Sequence, residues 1–294
     1  MTDRPTALVL HGGAGCVEGR DYSAECRHMR ETAERARDRL HAGASALDVV
    51  TEAIEALEAS GLYVAGRGSS PNLDGDYELD ASLMTGWNAD AGAVAALQGF
   101  QSPIRAARAV MEDTPHVMLA GQGASAFAAS KGLARIDDPD AWFTRAGQGE
   151  RNHAPGALAH GTVGCVALDA EGRLVAGTST GGVFGKMPGR LGDTPVIGSG
   201  TWADDHVAVS ATGTGEVFIR TAAAARVAFL VKLAGRSLEQ ATQEAIDEIG
   251  RLQGDGGLIA VDRRGNVAFP YNSPGMKRAI VRPDGSVESL AFAA

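Results

Sequence analysis

The sequence predicts a layered α+β fold, and three features of the pattern carry that expectation. Short apolar runs such as Ala7 to Leu10 and Val163 to Leu168 are bounded by glycine or Asp-Gly turns, as buried strands are. Amphipathic helical stretches alternate with such runs in the first half. In the second half an Asp-x-x-Gly turn occurs twice between short strands, the mark of antiparallel hairpins. Strands this apolar cannot face water on either side, so helical layers must cover the sheets.

Taken in order, Ala7 to Leu10 reads as a buried strand entering the glycine turn Gly12-Gly13-Ala14-Gly15. A charged amphipathic helix follows from about Ala24 to His41, then a second from Ala46 to Ala59, with Gly43 between them as a C-cap. Tyr77 to Thr85 and Ala91 to Leu97 read as strands joined by a Gly/Asn/Asp loop. A helix near Ile104 to Glu112, a strand at Val117 to Ala120 and a helix from Ala124 to Lys131 complete the first half. Residues from about Asp137 to His160 carry Asp, Gly, Pro, Ala and His with no apolar period, which marks a linker. Beyond it, Asp169-Ala-Glu-Gly172 turns between Val163 to Leu168 and Arg173 to Ala176, and Asp262-Arg-Arg-Gly265 turns between Leu258 to Val261 and Asn266 to Phe269. Helices are expected near Arg220 to Leu233 and Leu238 to Ile249.

Composition narrows the function. The 39 glycines in 294 residues are nearly twice the usual share of roughly 7%. With 44% hydrophobic residues and no G-X-Y period, they belong in turns and at close backbone approaches, within one large or two small domains. An excess of 36 Asp+Glu over 27 Lys+Arg argues against nucleic acid or an anionic membrane as the main partner, so small molecules or peptides are the expected substrates. Three widely spaced cysteines, Cys16, Cys26 and Cys165, offer neither a disulfide framework nor a metal knuckle, and point to a reducing, cytoplasmic compartment. The start shows no signal-peptide h-region, and no 18-residue apolar stretch follows.

Two motifs fail on context. Gly177-Thr-Ser-Thr-Gly181 satisfies G-x-S-x-G, but a nucleophile elbow must lead into a helix, and Gly182 and Pro188-Gly189 follow instead. The Gly185-Lys186 pair is followed by Met187 rather than Ser or Thr, so it is no phosphate loop. The histidines at 11, 28, 41, 116, 153, 160 and 206 show no catalytic-zinc spacing; His11 and His160 stand out by position alone.

The informative segment is His160-Gly161-Thr162-Val163-Gly164, where the linker meets a buried strand. Glycine at 161 permits a strained peptide, and the Thr162 hydroxyl can attack its own preceding carbonyl, moving the acyl group from N to O. Hydrolysis of that ester would free the Thr162 α-amino group, whose reference pKa of about 7.7 to 8.0 suits it as base for its own hydroxyl. A threonine opening a strand after a glycine turn is the plain alternative. The neighbours argue against it. Thr180 closes the hairpin that Thr162 opens and so can reach its hydroxyl. Arg190 and Asp193, three apart on a glycine-rich loop, suit the carboxylate and ammonium of a zwitterion. Thr212 and Gly213 offer a hydroxyl and exposed amides for an oxyanion hole. A solvated surface pair and a plain helix N-cap are the respective alternatives.

These residues sit in runs that together resemble the plant-type L-asparaginase/isoaspartyl peptidase family of N-terminal-nucleophile hydrolases. The runs are His11-Gly-Gly-Ala-Gly15, Ala44 to Ile54, Glu78-Leu-Asp-Ala81, Gly161-Thr-Val-Gly164, Thr178-Ser-Thr-Gly-Gly182, Pro188-Gly-Arg-Leu-Gly-Asp193, Thr212 to Arg220 and Asn272 to Met276, spread over nearly the whole chain. The resemblance implies a four-layer αββα sandwich, a single domain made of an N-terminal subunit 1–161 with its linker at about 137–161 and a C-terminal subunit 162–294. It implies self-cleavage between Gly161 and Thr162, Thr162 as nucleophile and Thr180 as its hydrogen-bonding partner. Arg190 would hold the substrate α-carboxylate, Asp193 its α-amino group, and Thr212 and Gly213 the oxyanion. The implied activity is hydrolysis of β-aspartyl dipeptides and L-asparagine, by a homodimer of cleaved protomers needing no catalytic cofactor. A structural Na⁺ on main-chain carbonyls of Leu57, Glu58, Ser60, Tyr63, Ala65 and Arg67 is implied as well.

The sequence departs from the family's pattern at Val64-Ala65-Gly66, where members commonly show Asn-Ala-Gly. That loses an amide near the nucleophile, and keeps open a threonine hydrolase with another substrate, such as glycosylasparagine. An uncleaved, silent relative that only binds aspartyl ligands is the third reading.

Overall fold

A computed structural model describes residues 5–144 and 161–293. Two sheets and their helices make a mixed α/β structure. The larger sheet holds eight strands in the order β12-β11-β1-β5-β6-β2-β3-β4: β12 (Val287–Leu290), β11 (Met276–Val281), β1 (Ala7–Ala14), β5 (Thr162–Leu168), β6 (Leu174–Thr180), β2 (Leu79–Thr85), β3 (Ala91–Leu97) and β4 (Met118–Ala120). The smaller runs β10-β9-β8-β7: β10 (Val267–Ala268), β9 (Gly256–Asp262), β8 (Val207–Gly213) and β7 (Thr201–Ala203). Neighbours are antiparallel except β3 and β4. Helices α1 (Ser23–His41), α2 (Ala46–Ser60), α3 (Pro103–Asp113) and α4 (Gly121–Ser130) belong to the first half, with a four-residue α5 (Pro139–Trp142). Helices α6 (Gly215–Thr221), α7 (Ala223–Ala234) and α8 (Leu238–Arg251) belong to the second.

The alternation of strand side chains shows where each face goes. On β1, Leu8 and Leu10 pack with Met29 and Ala33 of α1 and Val50 and Ile54 of α2, while Ala7 and Val9 turn to the other sheet. On β5, Val163 and Cys165 face the helices, and Val166 and Leu168 meet Ile259 and Val261 of β9. The smaller sheet repeats the rule: Val207, Val209 and Ala211 lie against Val227 of α7 and Ile246 of α8, while Ala208 faces inward. Each Val or Leu so buried contributes about 1.5–3 kcal/mol, which is why strands with two apolar faces demand cover on both.

Helix ends follow local chemistry. Ser45, Ser102 and Ser237 cap α2, α3 and α8 through their hydroxyls, and Ser237 with Gln240 completes a capping box. Three expectations need correction. The helix foreseen over Arg220 to Leu233 starts earlier and is broken at Ala222, whose φ of 48° and ψ of 48° end α6 and begin α7. The strand foreseen from Tyr77 begins at Leu79, because Tyr77 stacks on Phe143 with ring centroids 3.6 Å apart. The linker foreseen from Asp137 is structured as far as Thr144, whose hydroxyl donates to Gly61 O at 2.7 Å. The rest of that stretch, with His160, lies outside the described residues.

Candidate active site

The β5–β6 hairpin sits in the middle of the larger sheet, and its register sets Thr162 opposite Thr180. Both are buried. The Thr162 hydroxyl donates to Thr180 Oγ1 at 3.2 Å, and Thr180 donates in turn to the carbonyl oxygen of Gly161 at 3.1 Å. Gly182 N–H donates to Thr180 Oγ1 at 3.0 Å, which fixes that hydroxyl's direction. Two neighbours crowd the Gly161–Thr162 bond. A Cβ on Gly161 would lie 2.4 Å from Val64 Cγ2, so the divergent valine itself requires glycine there. A Cβ on Gly13, at φ +97°, would lie 3.0 Å from Gly161 Cα and 3.2 Å from Thr162 N.

The glycine turn after His11 gathers more of the set. Ala14 N–H donates to Thr212 Oγ1 at 3.3 Å, which ties the end of β8 to the same turn that touches Gly161. Thr212 is fully buried, and Gly213 follows it half-exposed at the mouth of α6. The loop with Arg190 and Asp193 reaches this mouth too: a Cβ on Gly215 would lie 2.9 Å from Asp193 Oδ1. Burial pushes the Asp193 carboxyl up to about 7, and its Oδ2 has no partner among the described residues. The sequence offered Arg190 and Asp193 as a clamp for the two charges of a zwitterion. The structure also gives Arg190 a bidentate partner in Glu216, with Nε–Oε1 and Nη2–Oε2 both 2.9 Å.

Sequence reasoning gave no role to four further residues, three of which, Glu78, Asp80 and Glu216, stand in the runs that carry the resemblance. Glu216 was legible as the acid ending the Thr212-Gly-Thr-Gly-Glu run. Lys186 is buried, donates to Glu78 O at 3.0 Å and lies 3.6 Å from the Glu78 carboxylate. Glu78 also accepts from Gly189 N–H at 2.9 Å, which anchors the turn before Arg190. Asp80 lies opposite Thr180 on β2, and burial raises its carboxyl to about 6. Ser179 of the rejected G-x-S-x-G lies within β6 and donates to Glu58 Oε1 at 2.6 Å.

The loop after α2 coils tightly, as a main-chain cation site requires. A Cβ on Gly68 would lie 1.9 Å from Tyr63 O, so only glycine leaves that carbonyl its room. Leu57 O, Tyr63 O and Ala65 O each accept a hydrogen bond, from Ser60 Oγ, Ala65 N and Gly68 N, while Arg67 O accepts two, from Thr144 N at 2.9 Å and Thr144 Oγ1 at 3.4 Å. A carbonyl has two lone pairs, so the first three keep capacity for a hard cation, and Arg67 O gains it by releasing the long bond from Thr144 Oγ1. The Glu58 side chain points away, accepting from Ser102, Ser179 and Ile104; burial pushes its carboxyl up to about 7.

A sequence profile for the family described as asparaginase matches residues 4–290. The chain belongs to the asparaginase family. Among this family's members it is 46% identical to the isoaspartyl peptidase of Salmonella typhimurium, over 92% of this chain and 94% of that one. It is 43% identical to the isoaspartyl peptidase of Escherichia coli, over 92% and 91%. To the plant-type L-asparaginase of Pyrobaculum calidifontis it is 41% identical, over 95% and 97%. These alignments to asparaginase-family members span both the hairpin with Thr162 and the loop with Arg190 and Asp193.

Proposed function

We propose that the chain is an autoprocessed threonine amidohydrolase that cleaves β-aspartyl dipeptides and L-asparagine, releasing L-aspartate. The observation that carries the reading is the hydrogen-bonded line from Thr162 Oγ1 through Thr180 Oγ1 to Gly161 O. Thr180 is placed to take the Thr162 hydroxyl proton as Oγ attacks the Gly161 carbonyl carbon, and to donate its own to the oxygen that becomes negative. Collapse breaks the C–N bond, Thr162 N takes a proton, and an ester remains. Water hydrolyses the ester, leaving residues 1–161 and 162–294 as two subunits of one four-layer αββα domain.

In the cleaved enzyme the Thr162 α-amino group accepts the proton from Oγ as Oγ attacks the substrate side-chain amide carbonyl. It returns that proton to the departing ammonia or amino acid, and water then hydrolyses the β-aspartyl ester. Thr212 hydroxyl and Gly213 N–H receive the oxyanion. Glu216 occupies Nε and Nη2 of Arg190 and so aims Nη1 at the substrate α-carboxylate. The unpartnered Asp193 Oδ2 takes the α-ammonium. Main-chain oxygens of Leu57, Glu58, Ser60, Tyr63, Ala65 and Arg67 would hold Na⁺ and stiffen the loop carrying Val64. We read the working unit as a homodimer of cleaved protomers in a reducing cytoplasm; the cysteines are free, and no helix among the described residues is long and apolar enough to cross a membrane.

Denaturing mass spectrometry should find chains of residues 1–161 and 162–294 in active protein. Thr162→Ala should stay whole and lose turnover by on the order of 10⁴-fold or more. Wild-type chain that stays intact while hydrolysing β-aspartyl dipeptide would overturn the mechanism, and turnover of glycosylasparagine alone would reassign the substrate.

A further inference from the structure

Among the apolar side chains between the two sheets runs a line of polar ones. His11 of β1, Ser210 of β8, Thr178 of β6, Thr201 of β7 and Ser82 of β2 are all fully buried there. Their polar atoms form an unbroken series. His11 Nδ1 lies 3.1 Å from Thr162 O, and His11 Nε2 lies 3.0 Å from Ser210 Oγ. Ser210 Oγ is 2.7 Å from Thr178 Oγ1, which is 2.5 Å from Thr201 Oγ1. Ser82 Oγ is 2.7 Å from Thr201 Oγ1 and 2.6 Å from Thr194 O. One end is the nucleophile's own carbonyl; the other is the residue after Asp193.

Counting hydrogens gives the line a direction at its His11 end. Thr162 O can only accept, so Nδ1 carries the imidazole hydrogen and Nε2 is left as an acceptor. Burial, aided by nearby Lys277, holds His11 down at about 3, so the ring is neutral and has one hydrogen to give, to the Thr162 carbonyl. Ser210 must then donate to Nε2 and accept from Thr178. Thr178 has one hydrogen, and the 2.7 Å contact with Ser210 takes it rather than the 3.1 Å contact with Gly200 O. Thr201 therefore donates to Thr178 across 2.5 Å. Ser82 donates its one hydrogen to Thr194 O at 2.6 Å, so the directed part of the line ends at Thr201. Gly164, opposite His11 on β5, makes the passage: a Cβ there would lie 2.1 Å from Ser210 Oγ and 2.3 Å from His11 Nε2.

We propose that His11 and Ser210 are positioning residues for the Thr162 nucleophile, acting through the hydrogen-bond relay that runs from Thr201 through Thr178, Ser210 and His11 to the Thr162 carbonyl. The inference rests on the reading of Thr162 as nucleophile. After cleavage the α-amino group of Thr162 must face its own Oγ, and both hang from a Cα with no peptide on its amino side. The carbonyl is then the remaining backbone handle at that residue, and the His11 N–H fixes it.

The test uses ¹⁵N-histidine spectra of the whole protein, with the His11 signals assigned by their loss in His11→Asn, beside steady-state kinetics. Wild-type His11 should show a protonated Nδ1 and bare Nε2, unchanged from pH 8 to 5. Ser210→Ala should move the ring toward a tautomer mixture and lower kcat by on the order of 10²-fold, with KM within twofold. Ser210→Thr, which keeps the hydroxyl, should restore both. A wild-type ring protonated at Nε2, or one titrating near 6.5, overturns the relay whether or not any variant folds. So does a Ser210→Ala enzyme with wild-type kcat, or one slowed with an unchanged tautomer. Wild-type protein that turns over neither asparagine nor β-aspartyl dipeptide would instead sink the functional reading, and the histidine spectrum would still decide the relay.

Discussion

Asp193 is a buried carboxyl whose second oxygen lacks a protein partner, and burial is what raises it to about 7. A group held there binds an ammonium only after it loses its proton. On the proposed mechanism two groups of the free enzyme must therefore be deprotonated for productive capture, Asp193 and the Thr162 α-amino group, with the latter's reference value about 7.7–8.0. In the complex the bound ammonium pulls the Asp193 value down, leaving the α-amino group to govern kcat. Below pH 7, log(kcat/KM) should fall with a slope approaching two, against one for log kcat. Parallel acid limbs would show Asp193 already ionised in the empty site. At this scale the sequence was most legible where chemistry is written in side-chain identity: spacing singled out Thr162, Thr180, Arg190 and Asp193, and the fold sets the first two opposite each other. Glu78, Asp80 and Lys186 escaped because their charges are buried and mutually compensated, and a sequence does not show which charges face each other.

Elements were legible where the apolar period was clean and obscured where a single residue overrode it. The two Asp-x-x-Gly hairpins gave β5–β6 and β9–β10 directly. β11 was hidden by Lys277 and Arg278, polar letters that are buried because aromatic faces receive them: Lys277 over Tyr22 at 5.0 Å, Arg278 over Phe269 and Tyr271 at 5.3 Å each. β7 has three residues and no period to read. The break between α6 and α7 falls inside a run of alanines with every propensity for helix. It arises because Ala224 and Ala225 N–H donate outside the helix, to Ser199 O and Gly198 O at 3.1 and 2.9 Å, which forces exposed Ala222 into the left-handed region. That conformation costs an L-residue about 1–2 kcal/mol, partly offset against glycine's greater unfolded freedom of about 0.4–1 kcal/mol. Ala222→Gly should therefore stabilise the fold by up to about 1 kcal/mol in urea unfolding, whereas a loss of stability would place the strain elsewhere.

The whole molecule carries an unusual balance of buried charge. Glu58, Asp80 and Asp193 are carboxyls that burial raises to about 7, 6 and 7, and His11 is an imidazole that burial lowers to about 3. The three acids keep protons in the folded state that the unfolded chain has released, so their contribution is full below about pH 4 and is lost as pH rises toward 7. His11 works the other way: its contribution is full above 6.5 and is lost as pH falls toward 3. Between about pH 4.5 and 6.5 the acids outnumber the histidine, and between 6.5 and 7 they act alone. The net charge of −9 at neutral pH adds self-repulsion of the same sense. Stability should therefore be greater at pH 5.5 than at pH 8, by on the order of a few kcal/mol. Thr162→Ala protein is the material for this measurement, since an uncut chain unfolds and refolds as one molecule. Glu58→Gln in that background keeps a hydrogen-bonding group facing Ser102 and Ser179 while removing the titration, and should flatten the slope between pH 5 and 7. Stability rising steadily from pH 5.5 to 8 would mean that these carboxyls are ionised in the fold, held by solvent or by a cation rather than by a proton.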